Sequence, residues 1–119
     1  MFNVSGTMRL LFTGAWTATA CTGLLGVNAL TKDREQFRRL EQTWARVLAR
    51  GWGMHVETHG AERIDPTGTF IFMAHHQSHV DIVALVVALP IMPGFLAKME
   101  LRRVPILGAA MEVGGHVFI

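Results

Sequence analysis

The stretch Ala74-His75-His76-Gln77-Ser78-His79-Val80-Asp81 places three histidines, a serine and a carboxylate between two apolar segments, residues 69–73 and 82–89. Each of these polar groups costs free energy in a packed interior unless it finds a hydrogen-bonding partner. His76 and Asp81 would be separated by roughly 140° on a regular helix. They can face each other only where the chain bends, so the sequence predicts His76 in a loop and Asp81 in the first turn of the following helix.

Composition narrows the class of protein. The chain has 119 residues, 50% of them hydrophobic, which limits it to at most one domain. Its net charge of +2 fits an anionic lipid surface, but no basic run is interleaved with aromatic residues, so no nucleic-acid partner is expected. Cys21 is the single cysteine, which excludes an internal disulfide and zinc-finger spacings.

Residues 1–31 are predicted to be a membrane-anchoring segment. Residues 10–31 are uncharged and would form a helix of roughly 33 Å, about the thickness of a bilayer core. Because the segment also holds five threonines, it could instead dip into one leaflet or be an ordinary core helix, and Ala18-Thr19-Ala20 resembles a signal-peptide cleavage site. More basic residues follow the segment than precede it, which predicts that the rest of the chain lies on the cytoplasmic side, at the inner membrane if the protein is bacterial.

Residues 32–51 are predicted to form an amphipathic helix at the membrane interface. Five apolar residues fall on one stripe: Phe37, Leu40, Trp44, Val47 and Leu48. The other face is assigned six basic and three acidic residues, Glu41 among them. This face is either solvated above a core-facing stripe or laid on anionic headgroups. Gly51-Trp52-Gly53 is expected to end the helix.

Residues 52–119 alternate between strand and helix patterns. Strands are predicted at residues 54–58, 69–73, 95–98 and 116–119, and helices at residues 80–89 and 102–113, with Pro105 in the first turn of the second helix. This order predicts an α/β fold with a mostly parallel sheet and flanking helices. Because the chain stops within a strand, the domain is expected to be C-terminally incomplete.

Two explanations compete for the polar stretch itself. Ser78-His79-Val80-Asp81 fits a capping box, which explains Ser78 and Asp81 without any catalysis. It does not explain His76, which could remove a proton from a hydroxyl group while Asp81 fixes the imidazole tautomer. Ser78 lacks the Gly-x-Ser-x-Gly elbow of a nucleophile, so the hydroxyl is expected to belong to a substrate alcohol.

A metal site is the alternative use of these histidines. His75, His76 and His79 could supply three nitrogens, and His75 and His79 would share a face if the segment were helical. The capping pattern starts the helix after His75, which argues against that arrangement. No metal and no bound cofactor are therefore expected.

Two blocks resemble the glycerolipid acyltransferases. His76-Gln77-Ser78-His79-Val80-Asp81 is similar to the family's His-x-x-x-x-Asp motif, with His75 in place of its usual preceding asparagine. Ala97-Lys98-Met99-Glu100-Leu101, followed by Pro105 and Gly108, is similar to its Ala-Lys-x-Glu-Leu segment. The resemblance spans residues 56–119, and residues 114–119 resemble the strand that leads into the family's next motif.

The resemblance implies transfer of a fatty acyl group from acyl-CoA or acyl carrier protein to lysophosphatidic acid, giving phosphatidic acid at a membrane. His76 would be the general base, oriented by Asp81. Lys98, with Arg102 and Arg103 as further candidates, would bind the acceptor phosphate, and Ser78 would lie at the substrate site. Alternatively, the two arginines only form the solvated start of a helix and bind no substrate.

The sequence departs from the family pattern in two ways that are expected to affect activity. A charged His75 would lower the basicity of His76. The family's Glu-Gly-Thr-Arg block is expected beyond Ile119, so the 119 residues alone are expected to show little or no transfer. An alternative function of another class is a catalytically silent lipid-binding module on the membrane surface.

Overall fold

The computed structural model describes residues 4–75 and 78–119. In this part of the chain five α-helices and two short strands follow one another: α1 (Val4–Leu30), α2 (Arg34–Gly51), α3 (Val80–Ala88), β1 (Leu96–Ala97), α4 (Met99–Arg102), α5 (Leu107–Val113) and β2 (Val117–Phe118). A 3-10 turn, Ala61–Arg63, lies between α2 and α3. The protein is thus mostly helical, with a small parallel sheet.

The predicted N-terminal helix is present, and its threonines explain how an incompletely apolar helix satisfies its polar atoms. The hydroxyls of Thr13, Thr19, Thr22 and Thr31 each donate to the carbonyl four residues earlier, at 2.7–2.9 Å. Over Ser5–Leu30 the helix is long and apolar enough to cross a membrane, with a mean hydropathy of 1.4. Only 11% of that apolar window is buried inside the protein.

Tryptophans join α1 to α2. The indole N–H of Trp52 donates to the Thr13 hydroxyl at 2.8 Å, and that of Trp44 donates to the Thr17 hydroxyl at 3.1 Å. The indole N–H of Trp16 donates to the backbone carbonyl of Trp44 at 3.2 Å. These bonds satisfy the polar edge of each ring while its apolar body packs between the two helices.

Helix α2 forms as predicted and lies at the centre of the core. The Asp33 carboxylate caps it by accepting from the amides of Glu35 and Gln36, and the chain leaves it through Gly53 at φ 70°. The predicted apolar stripe faces the protein: Phe37 and Leu48 are buried, while Leu40, Trp44 and Val47 are partly buried. One assignment was wrong, because Glu41 is buried rather than part of the solvated face.

Helix α3 packs across α2. A buried apolar cluster joins the two helices, formed by Ala45, Leu48, Ala49, Val83 and Val86. Small residues on α2 allow α3 to approach closely, and the contact fixes the start of α3 relative to the rest of the core.

The sheet is smaller than predicted. β1 and β2 are parallel, with Leu96 opposite Val117 and Ala97 opposite Phe118. Residues 54–58 and 69–73 do not form strands, although the side chains of the second segment alternate as in a strand: Phe70 and Phe72 are 43% and 37% exposed, Ile71 and Met73 92% and 95%. A strand needs a hydrogen-bonded neighbour, and none pairs with these segments within the described residues.

The helix predicted over residues 102–113 begins only at Leu107, and a short helix that was not predicted, α4, precedes it. α4 ends at Arg102 and α5 begins at Leu107, with Pro105 in the link rather than in a first helical turn. Proline disfavours helical backbone at the residue before it, which accounts for the break. Ile106 then adopts φ 67° inside a tight turn closed by the Leu107 amide donating to the Pro105 carbonyl at 2.7 Å.

Gly108 allows the two short helices to touch. A Cβ atom at this buried position would overlap the backbone carbonyl group of Arg102, reaching within 2.6 Å of its carbon. The obstacle is backbone rather than a movable side chain. Glycine is therefore required here for lack of space.

We expect Gly108→Ala to lower the free energy of unfolding by about 2 kcal/mol or more, because the α4–α5 contact must open to admit the methyl group. Gly94→Ala is the matched control, since a Cβ there meets its nearest atom at an ordinary 3.6 Å. Denaturant unfolding followed by tryptophan fluorescence measures both. Equal stability of the two variants would contradict the packing described here.

Candidate active site

The start of α3 fixes the Asp81 carboxylate. The Ser78 backbone N–H donates to Asp81 Oδ2 at 2.9 Å, and the Val80 N–H donates to the Ser78 hydroxyl at 3.3 Å. The bond from the Ser78 N–H to the Asp81 carboxylate is the one expected of a capping box, whereas the Ser78 hydroxyl accepts from Val80 rather than from the Asp81 amide. The helix begins at Val80, as predicted, but His79 rather than Ser78 occupies the N-cap position, and the His79 side chain makes no capping bond. Asp81 lies in the first turn, as the sequence predicted.

The predicted general base, His76, lies outside the described residues, together with Gln77. Its neighbours His75 and His79 are both exposed. Within residues 4–75 and 78–119, no three His, Cys, Asp or Glu side chains are grouped to hold a metal ion. The three-histidine site needs His76, so that alternative stays untested.

A cleft of about 250 Å³ opens beside Asp81. One wall is α3 and the other comes from the segments before it, and the lining residues are Val56, Glu57, Ala74, His75, Asp81, Ala84, Leu85 and Ala88. Most of this surface is apolar, with two carboxylates and an imidazole at its edge. The cleft is open to solvent and places apolar side chains next to the Asp81 carboxylate.

The apolar wall of this cleft was not predicted from the sequence. Ala84, Leu85 and Ala88 follow Asp81 by three, four and seven residues. Residues at these offsets share one face of a helix, so the spacing itself was a usable signal. Glu57 and Val56 could not be found in that way, because they reach the cleft from a distant, irregular segment.

The predicted cations form a second group at the end of β1. Lys98 is exposed and occupies the N-cap position of α4, while Arg102 and Arg103 lie at the end of that helix. Arg102 Nη2 is paired with Glu112 Oε1 of α5 at 2.8 Å. The structure thus brings Ser78 and Asp81 together and the three cations together, and none of the cations lines the cleft.

Comparison with known proteins places the chain in a family. The family model described as Acyltransferase matches residues 55–119, more than half of the chain. Mouse (Mus musculus) 1-acyl-sn-glycerol-3-phosphate acyltransferase alpha is 32% identical over 68 residues, which cover 57% of this chain and 24% of the mouse protein. No solved structure matches. The resemblance carried by the two motif blocks is therefore confirmed, and the chain belongs to the acyltransferase family.

Proposed function

We propose that the protein transfers a fatty acyl group from a thioester, acyl-CoA or acyl carrier protein, to lysophosphatidic acid and so forms phosphatidic acid. The observation that carries the proposal is the Asp81 carboxylate, held by the Ser78 amide and lining a mostly apolar cleft inside the family-matched region. The name of the mouse relative gives the acceptor class. The matched segment spans about a quarter of that relative, so the reaction is assigned to the complete gene product.

In the proposed reaction His76 takes the proton from the acceptor hydroxyl. The resulting alkoxide attacks the thioester carbonyl carbon, forming the new C–O bond, and the C–S bond then breaks. The departing thiolate takes up the proton from the imidazolium, which returns the base to its starting state. No metal or redox step is needed, because the atoms and charges balance between the two substrates and one histidine.

Asp81 would hold the imidazole from its second nitrogen. The Ser78 amide occupies Oδ2 and fixes the direction of the carboxylate from the first helical turn. A carboxylate in this position stabilises the positively charged imidazole that forms during the reaction. The Ser78 hydroxyl accepts from Val80, which supports a positioning role at the substrate site rather than a nucleophilic one.

Lys98 is the strongest candidate for binding the acceptor phosphate. It is exposed, and within the described residues its ammonium group has no ion-pair partner. Arg102 already donates from Nη2 to the Glu112 carboxylate, which offsets its positive charge and makes it a weaker candidate. Arg103 remains a further candidate at the end of the same short helix.

The exposed apolar surface of α1 supports the same reaction. Both substrates carry fatty chains, and α1 leaves most of its apolar surface uncovered by protein. The basic residues of α2 lie on its exposed face, where anionic headgroups would attract them: Arg34, Arg38, Arg39, Arg46 and Arg50. We place the active site on the cytoplasmic side, following the charge bias around α1.

Replacing the base tests the proposal directly. In the complete gene product, His76→Ala is expected to lower kcat for phosphatidic acid formation by about 10²–10⁴-fold, the usual contribution of a general base. His79→Ala is the matched control, since its side chain makes no capping bond, and it should retain activity. If the protein is instead a silent lipid-binding module, neither the unaltered protein nor either variant would form phosphatidic acid. An equal loss of activity in His76→Ala and His79→Ala would favour the metal site.

Asp81→Asn separates charge from capping. The amide oxygen can still accept from the Ser78 N–H, so the fold is expected to persist, while kcat falls by about 10²-fold or more because the imidazolium loses its negative partner. Steady-state kinetics with a thermal melt of each variant measures both effects. Full activity in this variant would remove Asp81 from the mechanism.

Lys98→Ala is expected to raise KM for lysophosphatidic acid by about 10-fold or more, since a charge-assisted hydrogen bond to phosphate is lost. KM for the acyl donor should not change. Lys98→Arg, which keeps the charge, is the control and should recover part of the affinity. An unchanged acceptor KM in Lys98→Ala would contradict the assigned role.

A further inference from the structure

A buried, hydrogen-bonded histidine–carboxylate pair lies between α2 and the start of β2, outside the cleft. His116 Nε2 and Glu41 Oε1 are 3.2 Å apart, and the two side chains are only 7% and 8% exposed. Burying a carboxylate is costly unless a donor satisfies it. The acyl-transfer steps use neither group, so the pair needs another explanation.

The hydrogen bonds around His116 define its tautomer. The Phe95 backbone N–H donates to Nδ1 at 3.0 Å, so Nδ1 is an acceptor. The ring proton is therefore on Nε2, where it points at Glu41. The Phe95 ring also stacks on the imidazole with 5.6 Å between centroids. One imidazole thus bridges α2 to the residues that directly precede both strands.

This bridge holds the start of the short strand that leads to Lys98. The ladder continues from Phe95, whose carbonyl accepts from Val117 at 2.9 Å. It ends at Ile119, whose N–H donates to the Ala97 carbonyl and whose carbonyl accepts from Met99, both at 2.9 Å. Lys98 lies between these last two bonds, so the register of β1 on β2 fixes its backbone.

Helix α2 connects this sheet to Asp81. Glu41 lies one turn before Ala45, which packs with Leu48 against Val83 of α3. The apolar contact holds the helix that carries Asp81, and the Glu41–His116 bridge holds the strand that leads to Lys98. The two halves of the proposed site are thus related through a single helix.

Gly114 shows independently that space is reserved for the pair. A Cβ atom there would lie 2.6 Å from Glu41 Oε1 and 3.1 Å from His116 Cδ2. The backbone of Gly114, at φ −66° and ψ −9°, is one that any residue adopts. Its lack of a side chain is therefore explained by the carboxylate beside it rather than by conformation.

We propose that Glu41 and His116 form a positioning pair that holds Lys98 in place to receive the acceptor phosphate. The inference rests on the proposed function, because it takes Lys98 as the phosphate-binding residue. Removing the carboxylate leaves the His116 Nε2–H unpaired in the interior, which loosens the strand before Lys98.

Kinetics of the complete gene product test this role. Glu41→Ala is expected to raise KM for lysophosphatidic acid by about 10-fold, the effect of one buried unpaired donor, while KM for the acyl donor and kcat stay unchanged. Glu41→Gln should restore the acceptor KM, since its amide oxygen can accept from Nε2–H. Gly114→Ala should resemble Glu41→Ala, and the exposed ion-pair variant Glu35→Ala is the control on the same helix.

A double variant distinguishes positioning from general damage. If Glu41 acts through Lys98, the Glu41→Ala/Lys98→Ala protein should show no larger acceptor KM than Lys98→Ala alone. Effects that multiply, or a donor KM that rises together with the acceptor KM, would overturn the inference.

Amide hydrogen exchange separates failure of this inference from failure of the proposed function. Glu41→Ala should accelerate exchange at the Phe95, Met99 and Ile119 amides by about 10-fold, and Glu35→Ala should not. Unchanged exchange would overturn the bridge even in an active enzyme. The other outcome is that Glu41→Ala accelerates exchange but the unaltered protein transfers no acyl group. That result would contradict both the proposed function and the positioning role, and the pair would then only stabilise the fold.

Discussion

Buried contacts between α2 and α3 determine where the Asp81 carboxylate lies relative to the rest of the protein. The capping bonds from Ser78 orient the carboxylate only within its own helix. Val83 and Val86 are packed in one buried cluster with Ala45 and Leu48. This contact fixes the first turn of α3 relative to α2. Because packed interiors deform little, a shift of α2 would displace the site as a unit.

The same helix joins the core to the apolar N-terminal helix. Three indole N–H groups cross the α1–α2 contact, two of them to threonine hydroxyls. These bonds satisfy the polar atoms that face the protein and leave an apolar outer surface on α1. The apolar helix α1 and the helix that carries Asp81 are therefore both packed against α2.

Local patterns in the sequence were sufficient for local structure. The apolar spacing around Phe37 predicted α2, and the Ser78–Asp81 spacing predicted the capping bonds, because both depend on residues within a turn or two. Non-local structure was not predictable in this way. The apolar run at residues 69–73 alternates as a strand does, but a strand also needs a hydrogen-bonded neighbour, which a local pattern cannot reveal. Glu41 was assigned to the solvated face because its partner, His116, is 75 residues away in the sequence. One local prediction also failed, because Pro105 was placed in the first turn of a helix that instead begins after it, at Leu107.

Product stoichiometry tests the central claim most directly. The complete gene product, in vesicles supplied with lysophosphatidic acid and an acyl thioester, would be assayed for free thiol and for phosphatidic acid in the same sample. If the protein transfers the acyl group to lysophosphatidic acid, thiol and phosphatidic acid form in equal amounts throughout the reaction. Thiol released with free fatty acid, or lysophosphatidic acid left unconsumed, would contradict acyl transfer to a lipid alcohol.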